Sequence, residues 1–265
     1  MSCWVLLRGL ARESGHWGDF PTLLTQHLDD SGTTGVTRVV ALDLPGNGAL
    51  HQLDSPTRID AMTRSCRAQL AGLGVEPPYR LLAISMGAMV AIDWARTDPH
   101  AIEGCVLINT SLRPFDPWFR RLRPANYGAL LGLAWRSNAD ARHERTILRL
   151  TTRNAAVAAS VLEAWVALRR RRPVSGLNAA RQLLAAARFR APAAAPAVPM
   201  LVLASARDAL VDMRCSLHLA RRWQTELAVH PQAGHDLPLD DGAWVAAEVA
   251  RWAARRQQRR QPRSD

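Results

Sequence analysis

The sequence predicts an α/β fold: a mostly parallel sheet of about six strands, with helices on both faces and an inserted helical lid. Three observations carry this. Short apolar runs alternate along the chain with stretches whose apolar residues recur at helical spacing, which is the pattern of β-α units. Residues 80–89 pass abruptly from an apolar run, 81–84, through a single serine into a helical pattern that continues to Arg96. The alternation then fails from Thr110 to about Gly176, where helical stretches rich in Trp, Arg and Leu follow one another without a clear strand.

The elements follow in order. Residues 4–8 are an apolar run that ends at Arg8-Gly9-Leu10, a strand entering a loop. Residues 17–28 place Phe20, Leu23, Leu24 and Leu28 at helical spacing, and 31–35 form a turn. A second strand, 38–43, runs into the turn-rich segment Asp43-Leu44-Pro45-Gly46-Asn47-Gly48, where Gly46 and Gly48 serve the backbone. Helix 59–73 carries Met62, Cys66, Leu70 and Leu73 on one face. The serine strand and its helix come next, then a fourth strand, 104–109. Residues 111–176 form the lid, and the core comprises 1–110 and 177–254. After a returning helix at 177–188 and an Ala/Pro-rich connector at 191–199, strands at 200–204 and 226–229 alternate with helices at 215–223 and 244–254. Residues 255–265 read as a basic, disordered tail.

Composition narrows the function. A chain of 265 residues can bury one substantial core. It has no run of 18 apolar residues, and its N-terminus lacks a basic flank, so a cytoplasmic protein with no membrane span is expected. The formal charge of +11 raises nucleic acid as a partner. Against it, every basic residue among the 34 Lys and Arg is arginine, and alanine is abundant, as a genome-wide bias would produce. The basic runs at 169–172 and 255–263 also lack interleaved aromatic residues for stacking bases. The four cysteines are far apart, without metal-ligand spacing; Cys3 and Cys105 fall in strands as buried thiols, and no metal is expected.

Ser85 stands where a strand turns sharply into a helix. That geometry strains the backbone, exposes the hydroxyl and aims free helix N–H groups at the same place. Small residues are needed two positions either side, and these are Ala83 and Gly87. A bland helix N-cap is the competing reading of a lone serine. A hydroxyl that attacks a carbonyl needs an imidazole to take its proton and a carboxylate to orient that imidazole. Asp208 follows the fifth strand and His235 the sixth, on the same sheet edge as Ser85, where parallel sheets bind ligands. Asp212 is the rival carboxylate, farther from its strand end. His16, His218 and His230 fit the base less well, and Asp236 is expected to contact loop backbone.

With these pieces in place the chain resembles the α/β-hydrolase family over nearly its whole length. The resemblance rests on the Ser85 elbow, the Asp43–Gly48 loop (D-x-P-G-x-G), the Asp208 loop and Ala233-Gly234-His235, in the chain order Ser, Asp, His. It departs at Ala83, where the first glycine of G-x-S-x-G usually stands, and at Arg8, where His-Gly usually follows the first strand. The resemblance implies an oxyanion hole from the N–H groups of Leu10 and Met86, and an aromatic residue at Trp17. It implies a serine hydrolase that cleaves a carboxylic ester through an acyl-enzyme, without cofactor. The alternatives are an ester or thioester borne on an acidic acyl carrier protein, as for the pimeloyl-carrier methyl ester esterases, a C–C bond hydrolase, or a non-catalytic ligand-binding member. Trp17, Trp118 and Arg113 are the substrate contacts it suggests. Trp118, Trp135 and Trp165 fit lid core more simply, and Arg113, Arg120, Arg121 and Arg123 fit a solvated surface unless they converge on an anion.

Overall fold

The strands of this chain are apolar almost without interruption, as strands covered on both faces must be. In the computed structural model they are β1 (Cys3–Leu7), β2 (Arg38–Leu42), β3 (Tyr79–Ile84), β4 (Ile102–Ile108), β5 (Met200–Ser205) and β6 (Glu226–His230). The structure describes residues 3–31, 38–134 and 141–260; positions 32–35 of the expected turn, Trp135 and residues 261–265 of the expected tail lie outside them. The six strands form one sheet in the order β2-β1-β3-β4-β5-β6, and every neighbouring pair is parallel.

Eleven α-helical segments are found among the described residues: α1 (Phe20–Asp30), α2 (Ile59–Gly72), α3 (Met86–Thr97), α4 (Trp118–Arg121), α5 (Tyr127–Ala134), α6 (Ala141–Thr151), α7 (Ala155–Arg171), α8 (Gly176–Arg188), α9 (Arg214–Trp223), α10 (Leu237–Asp240) and α11 (Gly242–Arg260). Side-chain alternation along β1 sorts them onto two faces. Cys3, Val5 and Leu7 pack in one cluster with Met62, Cys66 and Leu70 of α2, Val90 and Trp94 of α3, and Leu219 and Trp223 of α9. Trp4 and Leu6 pack in the other with Phe20, Leu24 and Leu28 of α1 and Val245, Val249 and Trp252 of α11. The sheet is therefore covered on both sides. Helices α4 to α7 lie in the connection between β4 and β5, where the sequence breaks its alternation.

One expectation is corrected. Residues 255–260 are not a disordered tail but the last turns of α11. Arg255 and Arg256 reach Glu226 at the start of β6, at 2.7 and 3.4 Å, so two of the charges read as solvated have a partner on the sheet edge. No helix among the described residues is long and apolar enough to cross a membrane.

Candidate active site

Because the strands are parallel, the loops after β1, β3, β4, β5 and β6 leave the same edge of the sheet. Ser85 follows β3 with φ 56° and ψ −119°, a conformation a non-glycine residue rarely adopts and one that costs roughly 1–3 kcal/mol. Neighbouring groups hold it there. Its N–H donates to the Ile108 carbonyl at 2.9 Å, and the Thr110 hydroxyl donates to its carbonyl at 3.0 Å. The need for a small residue two positions on comes from a close backbone approach. A methyl group on Gly87 would lie 2.6 Å from the carbonyl oxygens of both Leu7 and Arg8, so α3 closely approaches the end of β1 and the residue that follows it. The first N–H groups of α3 have no intrahelical partner, which leaves that of Met86 free to meet an anion.

The loop after β1 passes directly over the serine. A methyl group on Gly9 would sit 3.1 Å from Ser85 Cβ and 3.6 Å from its Oγ. Leu10 is the next residue. Its loop is shaped by Ala11, at φ 54°, whose N–H donates to Gln182 Oε1 of α8 at 2.8 Å. Gln182 Nε2 in turn donates to Asn47 Oδ1 and Ser55 Oγ, and Asn47 Nδ2 donates to the Arg12 carbonyl at 3.0 Å. The Asp43–Gly48 loop thus braces the segment that carries the Leu10 N–H. Asp43 itself accepts the N–H groups of Ser14 and Ala49 and stands against Gly48, whose φ of 52° suits glycine.

His235 and Asp208 are in contact. His235 Nδ1 lies 2.7 Å from Asp208 Oδ2, with both side chains buried. The other carboxylate oxygen accepts the N–H groups of Leu210 and Val211 at 2.8 and 3.0 Å, so the carboxylate cannot rotate freely. With Nδ1 engaged, Nε2 is the ring nitrogen left to act on a neighbour. Burial alone would disfavour the imidazolium. The Asp208 carboxylate outweighs it, Asp236 adds to the effect and Arg8 opposes it, and the net result is a His235 pKa above its ordinary value. Among the described residues no hydrogen bond joins Ser85 Oγ to His235.

The rival groups are engaged elsewhere. Asp212 is gripped by Arg214 at 2.6 Å, and that bond holds its carboxyl down at about 2. His218 pairs with Asp116 and His230 with Asp241. His16 is buried near Arg12 and Arg8, and burial with those cations holds it neutral.

Trp17 is accounted for by packing: it is 4% exposed, stacks on Phe20 and lies under the Arg8 guanidinium at 4.8 Å. Trp118 is 65% exposed on α4, edge-on to Phe119. Trp165 is buried between Arg12 and His16. Arg121 donates to the Ala186 carbonyl, Arg123 faces Asp212, and the Arg113 carbonyl accepts from Ala191 in a bridge to Arg190.

Sequence reading missed three features. Asn109 ends β4 at φ 45°, and its side chain donates to the His235 carbonyl at 2.8 Å and accepts the Ser205 N–H at 2.9 Å, tying three strand ends together. Arg8 and Asp236 form a buried two-pronged ion pair at 3.0 and 2.5 Å, where a backbone contact was expected of Asp236. Asp240 accepts the N–H groups of Gly234 and Arg153, while the Asp236 N–H donates to the Thr151 carbonyl, which staples the end of α6 to the histidine loop. A polar residue at a strand end was the one available signal for Asn109; the other two are long-range pairings with none.

A doubly wound parallel sheet with a serine elbow, and with an aspartate and a histidine in contact at later strand ends, defines a hydrolase class of fold. The profile of the alpha/beta hydrolase family matches residues 4–248, and the chain belongs to that family. Among solved structures, an esterase from Thermogutta terrifontis is similar with a TM-score of 0.73 and 21% identity, over 97% of this chain and 90% of that one. An esterase from a Rhodococcus species gives 0.70 and 22%, over 96% and 90%. A 2-hydroxy-6-oxo-6-phenylhexa-2,4-dienoate hydrolase, also from a Rhodococcus species, gives 0.69 and 19%, over 96% and 90%. At these identities the likeness is one of fold. A search of curated protein sequences gives no significant match.

Proposed function

We propose that this hydrolase cleaves a carboxylic ester through an acyl-enzyme on Ser85. The observation that carries the reading is the Asp208–His235 contact at 2.7 Å in loops that leave the same sheet edge as the strained serine. Ser85 Oγ attacks the ester carbonyl carbon while His235 Nε2 takes its proton. The carbonyl oxygen becomes an oxyanion received by the N–H groups of Leu10 and Met86, donors that need no particular side chain. As the tetrahedral centre collapses, His235 returns the proton to the departing alkoxide, which leaves as the alcohol. Water then attacks the acyl-enzyme, gives its proton to His235, and the acid is released as Ser85 is reprotonated. Asp208 keeps Nδ1 protonated and stabilises the transient imidazolium. Arg8, in the place where the family usually has histidine, leaves this scheme intact because its side chain turns to Asp236 and the backbone does the work.

Turnover of p-nitrophenyl acetate and butyrate tests the reading. Ser85→Ala should lower kcat by on the order of 10⁶ if the three residues act as a unit. A Ser85→Ala protein that hydrolyses these esters at the wild-type rate would refute it. Hydrolysis of a C–C bond in a vinylogous diketone, with no ester turnover, is the outcome that would replace ester hydrolysis with the chemistry named for the third structural neighbour.

A further inference from the structure

Arg8 and Asp236 are 228 positions apart, yet their side chains meet in the core beside His235. Both side chains are buried, 4% and 5% exposed. The pair is two-pronged, with Nη1 to Oδ1 at 3.0 Å and Nη2 to Oδ2 at 2.5 Å, a geometry that fixes angle as well as distance. The Arg8 guanidinium also lies over the Trp17 ring at 4.8 Å. Arg8 immediately precedes Gly9, where an added methyl group would lie 3.1 Å from Ser85 Cβ, and Leu10 follows, which is to supply an oxyanion donor. Asp236 immediately follows His235.

We propose that the Arg8–Asp236 pair is a positioning device for the candidate site: it locks the loop carrying the Leu10 N–H to the loop carrying His235, and its two charges cancel beside the imidazole. The role of the site in this inference rests on the proposed serine hydrolysis. A buried ion pair is a poor source of stability but a good source of registry, since either charge left alone in the core is strongly disfavoured. Relative motion of the two loops would separate the charges, so the oxyanion donor and the base are held as one unit. The charged groups around His235 are Asp208 from the β5 loop, Asp236 from its own loop and Arg8 from the β1 loop. Asp240 and Arg153 hold the adjoining Gly234 and Arg207 backbone, and His16, near Arg8, stays neutral.

The two members act on His235 with opposite sign, and this separates the proposal from a merely structural role. Asp236→Asn leaves Arg8 unopposed and should move the acid limb of the kcat/KM profile to lower pH. Arg8→Gln leaves Asp236 unopposed and should move it to higher pH. The Arg8→Gln/Asp236→Asn double variant should return the limb to the wild-type position, yet lose about tenfold or more in kcat through loosened loops. Arg8→Lys keeps the charge without the two-pronged grip, so it should hold the limb and lose kcat. NMR titration of ¹³C-labelled His235 in a Ser85→Ala background reads the same opposite shifts without any turnover. Failure of the hydrolase reading, seen as esterase activity surviving Ser85→Ala, is thus distinct from failure of the pair. If either single variant does not fold, the neutral double variant carries the test. Equal limbs in both single variants, shifts of the same sign, or a double variant with wild-type kcat would overturn the proposal.

Discussion

Asp208→Asn is the substitution that bears hardest on the proposed chemistry. The change is nearly isosteric. The side-chain oxygen of asparagine can still accept the N–H groups of Leu210 and Val211, as Asp208 Oδ1 does at 2.8 and 3.0 Å, so the loop keeps its shape. What then faces His235 Nδ1 across 2.7 Å is an NH2 group. That group donates where the carboxylate accepted, so Nδ1 becomes the acceptor and the ring proton moves to Nε2. His235 would then offer Ser85 a donor instead of the lone pair the reaction needs, and the carboxylate that raises the His235 pKa would be gone. A wrong tautomer of this kind lowers kcat by about 10⁴, equivalent to about 5.5 kcal/mol of transition-state stabilisation. The assay is kcat for p-nitrophenyl butyrate near neutral pH, with a thermal melt to show that the variant is folded. Asp212→Asn is the control: Asp212 faces Arg214 and not the imidazole, so its loss should leave kcat within about threefold. A folded Asp208→Asn enzyme with near-normal kcat, or a larger loss in Asp212→Asn, would refute the reasoning.

Other consequences are as direct. The general base must be neutral to accept a proton, and the Asp208 carboxylate outweighs burial to hold the His235 pKa above 6.5; kcat/KM should therefore rise with pH through a midpoint above 6.5 and fall away as the imidazole protonates below it. The stability term has the matching sign. The charged pair stabilises the fold fully below the unfolded value of 6.5, and that contribution is lost as pH rises through the higher folded value, so His235→Asn should flatten the pH dependence of the urea midpoint over that window. Gly87→Ala drives a methyl group to 2.6 Å from the carbonyl oxygens of Leu7 and Arg8 and should cost about 1–3 kcal/mol in denaturant titrations while displacing the elbow. Glu144 lies fully buried between Arg12 at 2.8 Å and Arg169 at 3.2 Å. Glu144→Gln leaves two buried cations facing each other and should destabilise the fold by about 3–5 kcal/mol, read as a lower melting temperature.

The six strands were legible in the sequence because a strand buried on both faces is a short apolar run, and each expected run overlaps an observed strand to within two residues at either end. Alternation with helices likewise predicted a parallel sheet, and the break at Thr110 marked the helical connection between β4 and β5. Local chemistry was legible too: a serine between Ile84 and Met86 reads as an elbow because the constraint lies within a few residues. What was not legible is pairing across the chain. Nothing near Arg8 marks Asp236 as its partner, and nothing near Glu144 marks Arg12 and Arg169. The extension of α11 to Arg260 was missed for the same reason, since a run of arginines reads as solvated until Glu226 is known to lie beside it. The demand for a small residue at position 87 was legible, but not which groups crowd it: the carbonyls of Leu7 and Arg8, distant in sequence.

Intact-mass analysis after exposure to a fluorophosphonate tests the central claim most directly, because the reagent reports the activated hydroxyl whatever the natural substrate. The account predicts a single adduct that peptide mapping places on Ser85, absent in Ser85→Ala and formed far more slowly in His235→Ala. An unlabelled wild-type protein, or an adduct that persists in Ser85→Ala, would contradict it.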